Sequence, residues 1–119
     1  MEKVNIEQKF SLFDEHWSPK IIGELNDAYV KAAKLKGAFV WHSHENEDEM
    51  FLVVKGSLLM KFRDRDVRVE AGEFIIVPRG VEHLPFAEEE AHILLLEPKT
   101  TLNTGNVRNE RTVEELQRI

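Results

Sequence analysis

The chain has 119 residues, 22 acidic against 16 basic side chains for a net charge of −6, and no cysteine. One domain of that length buries roughly two-thirds of its unfolded surface, so neither a disulfide nor a metal is needed to hold it together. No basic block stands apart in the sequence, which speaks against the clustered Lys and Arg that nucleic acid demands. The missing cysteines exclude disulfides, thiolate zinc sites, iron–sulfur clusters and cysteine nucleophiles. Any metal must be held by His, Asp or Glu. The N-terminus lacks the apolar stretch of a secretory signal, and no apolar run approaches the roughly 20 residues of a membrane helix. The expectation is a cytoplasmic protein with no membrane or nucleic-acid partner.

Ile6–Phe13 reads as a short helix with Asn5 as its N-cap, closed by Trp17-Ser18-Pro19. Short strands broken by turn residues follow. Ile21–Leu25 precedes an Asn26-Asp27 turn, and Tyr29–Leu35 ends near Gly37. Ala38–His44 alternates as a strand, with Ala38, Val40, His42 and His44 on one face. Glu49–Val54 and Leu58–Phe62, joined through Lys55-Gly56, read as a hairpin. Arg63–Asp66 is a charged turn into Val67 and Val69. Phe74–Val77, His83–Phe86 and Ala91–Glu97 complete the series, with Glu88–Glu90 as a loop tip. Strands at this spacing predict an all-β sandwich or barrel. Residues 100–111 read as a polar surface arm, and Thr112-Val113-Glu114-Glu115 as a capping box opening a short helix to Ile119.

The chemistry concentrates in a few positions. On a strand, residues two apart point the same way, so His42 and His44 face one space. Glu49 shares a face with Phe51 and Val53, which strands a carboxylate in an apolar layer. Two imidazoles and a carboxylate aimed into a core are costly unless something satisfies them, and a divalent metal does so. The alternative is a pair of hydrogen-bonded core histidines. His83, after the Pro78-Arg79-Gly80 turn, is the natural fourth ligand, although only a fold can bring it to the other three.

The stretch Gly37-Ala-Phe-Val-Trp-His42-Ser-His44, four residues, then Glu49 and Gly56 resembles the first motif of the cupin family. Gly72 through Pro78, Gly80 and His83 resembles the second. The resemblance runs from Gly37 to about Glu97. Two departures stand out. Four residues rather than five separate Gly37 from His42, and Ala87 stands where the second motif ends in Asn. The resemblance implies an all-β double-stranded β-helix, the jelly-roll cupin barrel, here with short helical segments at both ends. It also implies a divalent transition metal (iron, manganese, nickel, zinc or copper) on His42, His44, Glu49 and His83. Compact microbial members of this family are commonly dimeric, which implies a homodimer. The apolar second face of Glu49–Val54, with Trp41, Phe39, Met50, Leu52 and Val54, offers a surface for it.

Three histidines and a glutamate leave two positions open on an octahedral metal, suited to dioxygenase-like or Lewis-acid chemistry on a small molecule. The alternatives are a non-catalytic small-molecule-binding protein and a sugar-phosphate isomerase-like enzyme. Alternation places Phe51, Val53, Leu58, Met60, Phe62 and Ile76 inward, an apolar lining with little to grip a phosphate. Arg63, Arg65 and Arg68 interleave with acids and read as a solvated hairpin. His92 reads as a bonded core or interface residue, and His16 as a surface one.

Overall fold

A computed structural model describes residues 1–119. The elements in chain order are α1 (Ile6–Phe10), β1 (Lys20–Leu25), β2 (Ala28–Ala38), β3 (Glu49–Lys55), β4 (Ser57–Phe62), β5 (Asp66–Glu70), β6 (Phe74–Val77) and β7 (His83–Pro98). The pairing order β1-β2-β7-β3-β6 is antiparallel throughout, and β4 pairs with β5 and with β7. None of the helices is long and apolar enough to cross a membrane.

Strand β7 organises the whole. Its first residues, His83–Phe86, pair with β4, while Ala91–Leu96 lies between β2 and β3. Alternation decides which side chains enter the barrel. His83, Pro85, Ala87, Ala91, Ile93, Leu95 and Glu97 are all buried. Of these, Ala87, Ala91, Ile93 and Leu95 meet Ala33, Leu35, Phe51, Val53, Leu58 and Met60 in a core cluster of 13 buried residues. A smaller cluster of Phe10, Phe13, Ile22, Ala32 and Leu94 lies outside the sheet, where α1 covers it. The Asn5 side chain caps that helix by accepting from Gln8 N at 2.9 Å, as its position before the first turn leads one to expect.

Several sequence expectations give way here. Glu88–Glu90 is the solvent-facing middle of β7 rather than a loop tip. Strands β3 and β4 do not pair, so Lys55-Gly56 makes no hairpin; it carries the chain from the later half of β7, which β3 pairs, to the earlier half, which β4 pairs. Gly56 sits at φ +87° with the Glu90 carbonyl oxygen 3.0 Å from where a Cβ would lie. The hairpin in this region is β4–β5, turning through Arg63–Arg65. Ala38–His44 is not a strand beyond Ala38; Gly37, at φ +78°, and a register shift between Leu35 and Gly37 break the ladder. Residues 112–119 form no helix. Thr112 is instead spent on the arm, where its hydroxyl accepts from Asn109 N at 3.0 Å, and the last residues lie along β1 through a bridge between Ile21 and Arg118.

Candidate metal centre

The site sits inside one end of the barrel. Glu49 is the first residue of β3 and His83 the first of β7, so both enter where their ladders begin. His42 and His44 come from the irregular segment after β2. A two-way bridge holds it, with His42 N donating to His83 O at 3.1 Å and His83 N to His42 O at 2.9 Å. The local pairing that alternation predicts therefore exists only at His42. It suffices to send both imidazoles inward.

All four side chains are buried, and one ligating atom from each lies within 4.8 Å of the others. The Nδ1–H of His42 donates to Val40 O at 2.8 Å and that of His83 to Val81 O at 2.9 Å, each a carbonyl two residues back. A carbonyl can only accept, so these contacts fix the proton on Nδ1. Each ring then turns an Nε2 lone pair inward. Glu49 Oε1 lies 2.9 Å from His44 Nε2 and 3.2 Å from His83 Nε2. His44 Nε2 is buried and, despite that distance, has no aligned hydrogen-bond partner. The His83 Nε2 lone pair thus points at a carboxylate oxygen. A cation among them removes that conflict, and imidazole with carboxylate suits iron, manganese, nickel, copper or zinc. The residues fit the ion.

Charge follows the same geometry. Burial, and then the neighbouring His83, push His42 down to about 4. Burial opposes the charge on Glu49, but the polar side chains of Glu97, His44 and His83 around it outweigh that and hold its carboxyl well below the usual range. Glu97 moves the other way, raised by burial and by the charge on Glu49. Its Oε1 accepts from Lys31 Nζ at 2.6 Å, both residues being buried. Its Oε2 is buried and has no donor.

A cavity of about 40 Å³ adjoins this cluster, with His42, Glu49, Glu97 and Asn103 as its polar walls. A single water needs about 10–15 Å³, so the space suits a few waters. Phe51 lines it as expected, but Val53, Leu58 and Met60 are core, and Phe62 only packs against that core. Ile76 is 54% exposed, because the alternation of β6 turns Ile75 and Val77 inward instead. Phe39 also departs from expectation. Rather than facing away, it lines the cavity, edge-on to His42 at 5.4 Å and stacked on Trp17 at 4.7 Å. Trp17 holds a φ of +60° and donates from its indole to Lys36 O at 2.9 Å. Sequence reasoning passes over Trp17 as a helix stop; its adjacency to Pro19, which ends a helix, hides its role as a wall.

The other candidates lie elsewhere. His92 stacks on Phe10 at 4.6 Å and meets Glu90 at 2.8 Å, outside the cavity. Exposed His16 meets the same Glu90 at 2.9 Å. Arg63 lies over the Trp41 ring at 3.8 Å, and Arg65 and Arg68 are solvated. Arg79 pairs with Asp48 at 3.5 Å and lines no part of the cavity.

The cupin domain family matches residues 32–97, more than half of the sequence, and the chain belongs to that family. A cupin-2 domain containing protein from Shewanella frigidimarina is 48% identical, with a TM-score of 0.80 over 81% of this chain and 94% of that one. Protein NMB1881 from Neisseria meningitidis is 29% identical, with a TM-score of 0.76 over 82% of this chain and all of the other. Protein YdbB of Bacillus subtilis is 38% identical over 63 residues, a match spanning 52% of this chain and 56% of that relative.

Proposed function

We propose that the chain is a metal-dependent enzyme acting on a small molecule, with His42, His44, Glu49 and His83 as ligands. The observation that carries this is the convergence of three buried imidazoles and one carboxylate, with one ligating atom of each within 4.8 Å of the others and His44 Nε2 left without a hydrogen-bond partner, an arrangement that a cation relieves. A divalent metal there supplies Lewis acidity toward a bound oxygen, or a place for dioxygen. The protein's own part is to hold the rings in one tautomer through Val40 and Val81 and to exclude bulk water with Phe39, Phe51 and Trp17. Neither Lys nor Arg lines the cavity. That favours a weakly polar carbonyl or aromatic compound over a sugar phosphate, which needs a cationic clamp. A ring-sized substrate requires the Trp17 or Asn103 wall to move.

Elemental analysis of protein purified without chelators is expected to find about one transition-metal ion per chain. His83→Ala should lower that content sharply. Oxygen uptake and product formation across small carbonyl and aromatic compounds then test catalysis. Metal binding with no turnover of any compound would favour the non-catalytic binding protein, and turnover of sugar phosphates would reverse the substrate ranking. The proposal extends to a homodimer, supported by the adjoining apolar side chains of Phe74 and Ile76, which are 59% and 54% exposed.

A further inference from the structure

Glu97 belongs to no ligand set, yet it is one of the most buried charged residues in the chain, at 3% exposure. Register explains where it stands. Met50 pairs with Leu96 across β3 and β7, so one residue further along the antiparallel ladder sets Glu97 beside Glu49. On its other side Tyr29 pairs with Glu97 and Lys31 with Leu95, which brings the Lys31 side chain diagonally to the carboxyl. The result is a line of side chains, Lys31 to Glu97 to Glu49. Lys31, at 1% exposure, donates to Glu97 Oε1 at 2.6 Å, while the buried Glu97 Oε2 has no donor of its own and the register sets its carboxyl beside that of Glu49. Both carboxyls line the same cavity.

Stability does not account for this line. A buried ion pair is often matched or bettered by apolar residues of the same volume, since desolvating both charges offsets their attraction. The barrel interior around it is Ile93, Leu95 and Phe51, where an apolar pair would pack as readily. What an apolar pair could not do is hold the Glu49 carboxyl in one rotamer against the three imidazoles.

We infer that Glu97, braced by Lys31, is a positioning residue for Glu49 and sets how tightly the four-ligand centre holds its metal. The inference rests on the metal reading proposed above. Partners one step behind metal ligands typically change affinity by about 10–100-fold when removed.

The test uses the full chain, with Zn²⁺ affinity measured by competition against a chelating dye and the absorption bands of the Co²⁺-loaded protein as a second readout. In the double variant Lys31→Met/Glu97→Leu no buried charge is left unpaired. It is expected to unfold at or above the wild-type temperature while binding Zn²⁺ about 10–100-fold more weakly, with shifted Co²⁺ bands. Glu97→Gln can still accept from Lys31 and donate to Glu49, and it should bind within about threefold of wild type. A double variant with wild-type affinity and unchanged bands would overturn the inference, as would a Glu97→Gln protein as weak as the double. Should the double variant not fold, Lys31→Met alone decides: it leaves Glu97 unbraced, so a several-fold loss supports the role and wild-type affinity refutes it. Failure of the wild-type chain to bind either ion would instead sink the metal reading itself.

Discussion

His42 is held near 4 by burial and then by His83, against an ordinary value of 6.5. In the metal-free protein this has a signed consequence. Between pH 6.5 and 4 the unfolded chain takes up a proton at this position and the folded chain does not. Stability therefore falls as pH falls through that window and levels off below it. The difference is worth about 3 kcal/mol. Urea unfolding of the metal-free protein should show a loss of that order between pH 7 and pH 4, and His42→Gln should flatten the profile. Equal slopes in the two proteins would contradict this account. At this scale the sequence is legible where spacing carries the message. His42, His44, Glu49 and His83 can all be read from two short motifs. Glu97 cannot, because its neighbours are fixed by the pairing of β7 with β2 and β3, and nothing local to Leu96-Glu97-Pro98 announces it.

Among the elements, the arm after β7 has the largest bearing on the site. Residues 100–111, predicted as a surface arm, fold back so that Asn106 receives Ser43 N on its side chain at 2.9 Å and donates its own N to Ser43 O at 3.0 Å. Gly105, at φ +57°, lies so close that a Cβ there would overlap the Ser43 carbonyl oxygen and stand 3.1 Å from His42 Cδ2. Gly105→Ala should cost about 2–4 kcal/mol, from the left-handed backbone and the forced displacement together. It should also weaken metal binding, because the displaced strip of chain carries His42 and His44. A Gly105→Ala protein with unchanged denaturant midpoint and unchanged Zn²⁺ affinity would show that the arm leaves the centre alone. Composition hides this contact. Polar residues without a period look solvated, yet Thr101 and Thr104 are buried. Strand alternation, by contrast, reads β3 well because Glu49, Phe51 and Val53 face a continuous core. It misreads Ala38–His44, where the ladder that would enforce alternation has already stopped.

For the molecule as a whole, two sheet faces differ in how they are covered. Helix α1 and the turn that follows it lay Phe10 and Phe13 over the outer side of β2 and β7, while Phe74, Ile76 and Val54 on β6 and β3 are left in solvent. Apolar side chains so exposed mark an interface more often than an ordinary surface. Sedimentation at tens of micromolar should show a dimer, and Phe74→Lys with Ile76→Lys should yield a folded monomer. A monomeric wild type would remove the homodimer proposal. Glu90, meanwhile, tethers the N-terminal segment by meeting both His16 and His92. Those two hydrogen bonds hold its carboxyl down to about 2. Because the group is exposed, Glu90→Ala should cost no more than about 1 kcal/mol.

The stacking of Trp17 on Phe39, with Phe39 edge-on to His42, places one indole two ring contacts from the His42 imidazole. The other, Trp41, lies under the Arg63 guanidinium. The two should therefore emit differently, the buried Trp17 toward the blue and the less buried Trp41, beside a charged group, toward the red. A Trp41→Phe protein is then a single-fluorophore sensor of its own centre. Cu²⁺, with a partly filled d shell, should quench the Trp17 signal in proportion to occupancy, whereas Zn²⁺, with a filled one, should leave its intensity nearly unchanged. Titrating each ion in turn would follow filling of the site from light emitted by the wall of its cavity.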